Sequence, residues 1–338
     1  MNTVPGLVPA GHRRLPVGQA AGDRRQVWPW RRAGLGALAA GAVALPFVLP
    51  PYLLFQATLV LVYAVALLGL DLVVGRGGQI SLGHGAFFGV GAYTAAVMIA
   101  QFGLPYPLTL PVAALLTFGL GWAAGLPALR LRGLYLAMVT FAVAVVLPPL
   151  LKRFPAITGG AMGMPVPTPR APVLDDDQWV YFLVLGVTVT AFAGIRNLTA
   201  SRGGRALTAI REHRAAAEVL GMRPATHMTH AFAWSAMYAG TAGALYTWTA
   251  GFVSPDSFAL SLSITLLAGV VIGGPATLTG ALLGAFVVMG VPAVARELNP
   301  AAPGVISGLL IVLVVYAAPT GLTGLLRRAA WSVAGRRT

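Results

Sequence analysis

The sequence has few charged residues and no cysteine. Only 9% of its 338 residues are Asp, Glu, Lys or Arg, whereas a soluble domain carries about 25%. Hydrophobic residues make up 57%, and the mean hydropathy is +0.79. A soluble fold cannot cover its surface with so few charges, so this composition excludes a soluble globular enzyme. The lack of cysteine excludes disulfides, thiolate metal sites and a cysteine nucleophile.

Lysine is also nearly absent, because Lys152 is the only one in the chain. A phosphate-binding loop of the GxxxxGK[ST] type needs a lysine, and the residues around Lys152 do not fit that pattern. His227 and His230 are three positions apart, but no carboxylate or cysteine near them completes a metal-ligand set. We therefore predict no ATP-binding loop, no metal site and no cofactor in this chain.

Apolar runs occupy most of the sequence. They cover residues 33–49, 52–74, 80–100, 107–129, 133–151, 179–195, 229–250, 258–273, 280–295 and 304–325. Several are close to the ~20 residues that a helix needs to cross the hydrocarbon core. Two of them, 258–273 and 280–295, are short, which leaves broken or re-entrant helices open. The sequence predicts an all-α fold, a polytopic integral membrane bundle of about 10 transmembrane spans, with a range of 8–10.

The basic residues lie mainly on one side of these runs. If the N-terminus is cytoplasmic and every run crosses, 19 of the 23 basic residues lie inside, and only Lys152, Arg153, Arg170 and Arg296 lie outside. The positive-inside rule predicts this asymmetry, so both termini are expected in the cytoplasm. The net charge of +14 is then an orientation signal rather than a surface for nucleic acid.

These assignments divide the chain into three parts. Residues 1–32 are predicted to be a basic, flexible cytoplasmic tail, residues 33–326 the membrane domain, and residues 327–338 a second basic cytoplasmic tail. Within the membrane domain, 152–178 is predicted as an external loop and 196–228 as a cytoplasmic loop. A secretory signal cleaved near Ala42–Ala44 is the alternative for the first run, and it is disfavoured because nine further apolar runs follow.

The cytoplasmic loop at 196–228 combines positive charge with helix-forming composition. It holds six arginines and two glutamates, and no glycine or proline occurs between Ala206 and Leu220. We predict one short amphipathic helix there. Gly221 is expected to end it, because glycine is the residue that most often follows a helix.

A glycine-rich segment, Gly75–Tyr93, lies at the inner end of a predicted span and carries Gln79, Ser81 and His84. Irregular backbone at membrane depth occurs only where protein or a water-filled cavity covers it, and broken helices of this kind line substrate paths in transporters. We therefore assign Gln79, Ser81 and His84, with Gly78 and Gly83, to a substrate path.

Alternatives remain for individual residues of this region. His84 also fits a packed, hydrogen-bonded structural role, and Asp71 is expected to pair with Arg76 at the inner end of its span. A weaker glycine-rich segment, Gly273–Phe286, leaves a parallel internal duplication open.

Four stretches resemble the branched-chain amino acid ABC permeases of the LivM type. They are Gly78–His84 with Ala86–Phe88 and Gly91–Tyr93; Leu129–Tyr135; Ser201–Arg202 with Ile210–Glu212, Ala216–Ala217 and Leu220–Gly221; and Gly251–Phe258. The resemblance extends over about residues 52–326. Three features depart from the family pattern. Asp71 stands where Asn is common, the outer segment Thr158–Gly163 is only similar to the family's usual TGG segment, and Ala215 stands where ABC importers have an acidic residue in the docking motif.

The resemblance implies a transmembrane permease subunit of an ATP-driven importer for branched-chain, hydrophobic amino acids in the bacterial plasma (inner) membrane. It implies four kinds of partner: a second homologous permease subunit, two ATPase subunits that hold ATP and Mg, an extracytoplasmic substrate-binding protein, and membrane lipid. It also implies that the inner-loop helix couples to the ATPase. The coupling residues carried over are Arg211, Glu212, Arg214, Ala216, Ala217 and Gly221, and the missing acid at Ala215 shifts the expected contact toward Glu212 or Arg214.

Other functions stay open at this point. An ABC permease for urea, amides or other amino acids has the same sequence features. An ion-coupled secondary transporter usually has ionisable groups within its spans, and here, apart from His230 at the very start of its run, the spans offer only Asp71 and His84. An integral membrane enzyme needs a catalytic set, which these residues do not supply.

Overall fold

The computed structural model of the chain describes residues 29–128, 133–170, 174–298, 308–309 and 321–334. The chain divides into a first unit that ends at Leu45 and a second unit, Pro46–Thr338. Most of the two predicted tails, residues 1–28 and 335–338, lies outside the described residues, as do Leu129–Arg132 of the second motif.

The described chain is mostly helical. Helices α1 to α5 are Pro29–Val48, Pro51–Asp71, His84–Ala100, Tyr106–Ala128 and Leu134–Arg153. Helices α6 to α10 are Pro155–Thr158, Asp176–Ala200, Arg202–Glu212, Arg214–Val219 and Pro224–Ala250. Helices α11 to α13 are Leu260–Gly273, Leu278–Leu298 and Gly321–Ala334.

Shorter elements join these helices. A π-helical turn, Leu72–Arg76, continues α2, and 3₁₀ turns occupy Gly160–Met162 and Pro255–Phe258. Strands β1 (Met164–Pro165) and β2 (Phe252–Val253) pair antiparallel, with Met164 opposite Val253. Apart from the π-helical turn, these short elements lie in the connections that were predicted to be external.

Each of the first nine apolar runs contains a helix, as predicted, and most of the tenth run lies outside the described residues. Among the described residues, four helical segments are long and apolar enough to cross a membrane: Pro51–Arg76, Tyr106–Leu126, Tyr135–Arg153 and Asp176–Ala200. The helical membrane fold is therefore confirmed, whereas the count of about 10 spans stays a prediction. Helix α1 begins before the predicted boundary at 33, and α13 ends after the one at 326.

Helix α10 lies at the centre of the bundle and packs against α2, α3 and α4. Small residues allow the close approach of α3, since a Cβ placed at Gly91 would meet Gly240, and one placed at Gly243 would meet the Phe88 carbonyl. Membrane helices depend on such contacts because lipid gives them little hydrophobic driving force for association. The bundle core therefore forms around α10.

The connections gather at two ends of the bundle. At one end, Lys152 Nζ lies 2.6 Å from Asp256 Oδ1, and the Tyr106 hydroxyl donates to the Pro167 carbonyl at 2.9 Å. At the other end, Ala276 and Arg211 both contact the end of α2. This grouping agrees with the alternation predicted from charge, while the side of the membrane that each end faces stays a prediction.

The loop predicted to be cytoplasmic, 196–228, contains two helices rather than the single helix predicted from Ala206 to Leu220. His213 adopts φ −145° and ψ 87°, which ends α8 and begins α9. The prediction was wrong because no local residue signals the break. Ile210 of α8, Ala217 of α9 and Pro224 of α10 are all buried, and this tertiary packing outweighs helix propensity. Gly221 follows α9 with φ +80°, as expected of a residue that ends a helix.

Candidate functional site

The helical structure is interrupted between α2 and α3, at the glycine-rich segment identified in the sequence. In the π-helical turn, the Gly77 amide donates to the Leu72 carbonyl, and beyond it the Gln79 amide donates to the Val73 carbonyl, both at 3.1 Å. Residues 77–83 are not helical, and Gly78 has φ +65°, a conformation that suits glycine. π-Helical turns are rare in proteins overall, but those that do occur are frequently found at functional sites. The irregular backbone expected from the sequence is therefore present in this segment.

His84 begins α3 and is fully buried between two serine hydroxyls. Its Nδ1 lies 3.0 Å from Ser81 Oγ, and its Nε2 lies 2.5 Å from Ser235 Oγ in α10. Ser235 in turn donates to the Gly69 carbonyl at 2.5 Å. The three side chains are each 0% exposed. Both ring nitrogens are therefore occupied within the packed interior.

Two further side chains hold the same segment. The Leu82 amide donates to Thr140 Oγ1 of α5 at 3.0 Å, and the Gly85 amide donates to Ser263 Oγ of α11 at 2.9 Å. Gly85 lies in the first turn of α3, so Ser263 satisfies a donor that the helix itself leaves free, while Thr140 binds the backbone just before the helix. Sequence analysis missed Ser235, Thr140 and Ser263, since each is a hydroxyl residue without a distinguishing local pattern, far along the chain from its partner.

Gln79 differs from its neighbours in lacking a side-chain partner. It is 8% exposed, and its Oε1 accepts no hydrogen bond from any described residue. Buried polar atoms without partners are uncommon and costly. Of the five predicted path residues, Gly83, Ser81 and His84 thus lie within one packed network, Gly78 lies at the surface beside Arg211, and Gln79 carries the unused acceptor.

Asp71 and Arg76 do not form the direct ion pair expected from the sequence. Asp71 Oδ1 accepts a hydrogen bond from the Ala276 amide at 2.7 Å, and the Arg76 guanidinium donates to the Ala276 carbonyl at 3.4 Å. Both side chains therefore bind the turn between α11 and α12. The physical reason is that a buried carboxylate is satisfied by a well-placed amide, and the turn places one beside it.

The loop predicted to be cytoplasmic packs one face of α8 on the bundle. Ser201 begins α8 and accepts a hydrogen bond from the Gly204 amide at 3.3 Å. Leu207 and Ile210 are buried, 5% and 4% exposed. The Arg211 guanidinium donates to the Gly75 carbonyl in the π-helical turn. The predicted coupling loop and the predicted path segment are therefore in direct contact.

The other predicted coupling residues take different positions. Glu212, Ala216 and Gly221 are exposed, Ala217 is buried, and Arg214 Nε lies 3.0 Å from Glu218 Oε1. Beside them, the apolar side chains of Val219 and Leu220 are 88% and 76% exposed. An exposed apolar patch flanked by charges is typical of a protein-binding surface.

No group of three or more metal-ligating side chains occurs among the described residues. The polar side chains of this region are instead hydroxyls, one amide, one histidine, the carboxylate of Asp71 and the guanidiniums of Arg76 and Arg211. Such a set can bind a polar solute by hydrogen bonds. Ser81 and Ser235 have the spacing from His84 of a nucleophile and its base, but all three side chains are fully buried and packed against one another.

Comparison with known proteins gives a consistent result. The family model for the branched-chain amino acid transport system permease component matches residues 52–315. The high-affinity branched-chain amino acid transport system permease protein LivM of Escherichia coli K12 is 33% identical over 319 residues, covering 87% of this chain and 75% of that protein. The protein of the same name in Salmonella typhimurium LT2 gives the same figures. No solved structure shows a significant match.

Proposed function

This chain belongs to the family of branched-chain amino acid transport system permease components, and we propose that it translocates branched-chain amino acids through a bacterial plasma membrane. It is an integral membrane permease subunit rather than an enzyme. The observation that carries the proposal is the family match over residues 52–315 together with the identity to two LivM proteins.

The proposed topology has about ten spans and both termini in the cytoplasm. The distribution of arginine supports it, since 19 of 23 basic residues then lie inside. The contacts between loops of the same predicted side also support it. In this orientation the end of α2, helices α8 and α9, and the turn at Ala276 face the cytoplasm.

The proposed partners are a second homologous permease, two ATPases and an extracytoplasmic substrate-binding protein. Helices α8 and α9 would bind the ATPase through the exposed Glu212, Ala216 and Gly221 with the apolar Val219 and Leu220 beside them. Binding and hydrolysis of ATP with Mg would then take place on the partner subunits.

The proposed substrate path passes the segment 77–83. Gln79 is the residue of that segment best suited to contact a solute, because its Oε1 is buried and no described residue binds it. Ser81, His84 and Gly83 would shape the path from within the packed network, and Gly78 would lie at its inner edge.

An ion-coupled carrier is the alternative from another class. Within the described helices, Asp71 and His84 are the buried ionisable side chains that such a carrier would use, and both are already engaged. Asp71 binds the Ala276 amide, and His84 lies between two serines. The geometry therefore favours energy supplied by another subunit. An ABC permease for urea, amides or other amino acids remains the nearest alternative in substrate.

The test is uptake by a purified and reconstituted complex. The tagged chain is isolated from its native membrane, and co-purification of an ATPase is the first expected result. Vesicles holding the complex should accumulate labelled leucine only with Mg-ATP and the binding protein, and excess urea or acetamide should not compete. Uptake by the isolated chain alone, driven by an ion gradient, would overturn the proposal. Competition by urea or acetamide would overturn the substrate assignment only.

A further inference from the structure

The end of α2 is held by a side chain from the cytoplasmic loop. The Arg211 guanidinium donates to the Gly75 carbonyl, and its aliphatic part lies over Gly78, since a Cβ built at Gly78 would be 3.0 Å from Arg211 Cγ. The carbonyls of a helix's last turn lack partners within the helix and carry partial negative charge. Arg211 therefore caps the π-helical turn with a cation from another element.

The same turn is held from a second direction. Asp71 accepts a hydrogen bond from the Ala276 amide, and Arg76 donates one to the Ala276 carbonyl. The turn that carries Ala276 is itself fixed by α13, because Thr323 Oγ1 donates to the Gly273 carbonyl at 3.0 Å and lies 3.3 Å from Thr277 Oγ1. Ala276 has φ +61°, which is unfavourable for a residue other than glycine. A backbone in that state persists only where its surroundings hold it.

The π-helical turn differs from the α-helix before it by its i→i+5 hydrogen bonds, such as that from the Gly77 amide to the Leu72 carbonyl. It accommodates one residue more per turn than an α-helix, so a change to α-helix would shift the register of the residues after the turn by one position. One residue corresponds to about 100° of rotation around the helix axis. Gln79 lies just beyond the turn, and its amide is bonded to the Val73 carbonyl within it. A register change would therefore move Gln79. It would move α3 less, because Thr140, Ser235 and Ser263 hold the start of that helix through their own hydrogen bonds.

We propose that Arg211 is a positioning residue which ties the register of the π-helical turn Leu72–Arg76, and with it Gln79, to the position of α8. While Arg211 holds the Gly75 carbonyl, the π-helical register is stabilised. When α8 is displaced, the hydrogen bond from Arg211 to the Gly75 carbonyl is lost and the turn is free to change register. The hydrogen bond between Asp71 and the Ala276 amide stays in place and holds the start of the turn. The role of α8 as the ATPase-binding helix rests on the proposed function, whereas the link between Arg211 and the turn does not.

The first test needs only the purified full-length chain in detergent. Hydrogen exchange is compared among the wild type, Arg211→Ala and the control Arg205→Ala, which removes the same charge from the same helix but bonds only to the Ala200 carbonyl nearby. The amides of Gly77 and Gln79 should exchange about tenfold faster in Arg211→Ala, the size expected for a lost hydrogen bond from a charged donor. Arg205→Ala should leave them unchanged. Equal exchange of these amides in both variants would overturn the proposal.

The second test uses the reconstituted complex and separates positioning from docking. Arg211→Ala should lower the leucine taken up per ATP hydrolysed about tenfold. Arg211→Lys, which can still donate to a carbonyl, should recover most of it. Loss of ATPase binding in Arg211→Ala would mean that Arg211 is a docking contact and would overturn the positioning role. If the wild-type complex itself shows no ATP-dependent uptake, the proposed function fails, and the exchange result still decides the role of Arg211.

Discussion

The hydroxyl of Ser235 lies 2.5 Å from Nε2 of His84, although 151 positions separate the two residues. Ser235 donates its own proton to the Gly69 carbonyl, so it accepts from Nε2, and Nδ1 is left to accept from Ser81. Each of the three hydrogen bonds, from Ser81 to His84, from His84 to Ser235 and from Ser235 to the Gly69 carbonyl, then has one donor and one acceptor. The arrangement requires a neutral imidazole with its proton on Nε2, and it joins α10 to the break between α2 and α3.

Replacing Ser235 by alanine tests that arrangement. Ser235→Ala should lower the free energy of unfolding by about 1–3 kcal/mol, because His84 Nε2 is left buried without a partner. Unfolding can be followed by tryptophan fluorescence during an SDS titration, since the chain has seven tryptophans. Thr241→Val on the same helix is the control, as Thr241 bonds only to the Met237 carbonyl of its own helix. A loss no larger than that of the control would show that the network is not stabilising.

Replacing Gln79 should change transport without lowering the unfolding stability of the protein. Gln79→Met removes a buried acceptor that no described residue satisfies, so unfolding stability should be unchanged or higher. Leucine uptake by the reconstituted complex should nevertheless fall, because the side chain that could bind the solute has lost its polar atoms. Ser81→Ala is the comparison: there stability should fall, since His84 Nδ1 loses its donor. Full uptake by Gln79→Met would remove Gln79 from the proposed path.

Asp71 is expected to act as an acceptor rather than as a charge. Its Oδ1 binds the Ala276 amide at 2.7 Å, and an asparagine carbonyl can accept the same bond. Asp71→Asn should therefore keep stability within about 1 kcal/mol, whereas Asp71→Leu should lose about 1–3 kcal/mol by leaving the amide unbonded. The SDS titration measures both. If asparagine proves as damaging as leucine, the charge itself is needed, and its partner would be Arg76 or Arg211.

The helices were predictable because apolar length is a local property. The runs at 52–74 and 107–129 predict α2 and α4 within a few residues, since a span must be long enough to cross the membrane. The break at Gly75–Gly83 was equally visible, as glycines and polar residues interrupt an apolar pattern there. The family resemblance added the roles of the inner loop, which composition alone does not contain.

The contacts of the site were not predictable, for a physical reason. Asp71 was expected to bind Arg76, the nearest cation along the chain, but the amide that it binds belongs to Ala276, 205 positions away. Likewise, nothing near His213 predicts the break between α8 and α9. Hydrogen bonds between elements depend on how helices pack, and one sequence carries no record of which lone serine or backbone amide will lie opposite a given side chain.

The packing of α10 on α3 gives the last prediction, which compares two glycines within helices. A Cβ at Gly243 would overlap the Phe88 carbonyl, whereas a Cβ at Gly186 in α7 would have no atom within 4 Å. Gly243→Ala should therefore lower the free energy of unfolding by about 1–3 kcal/mol, the usual cost of overpacking. Gly186→Ala should raise it by up to about 1 kcal/mol, because alanine loses less backbone entropy in a helix. The opposite signs separate packing from helix propensity, since both variants add the same methyl group. Equal effects in the SDS titration would show that the close approach of α3 and α10 does not limit stability, and would leave α10 without its assigned place at the centre of the bundle.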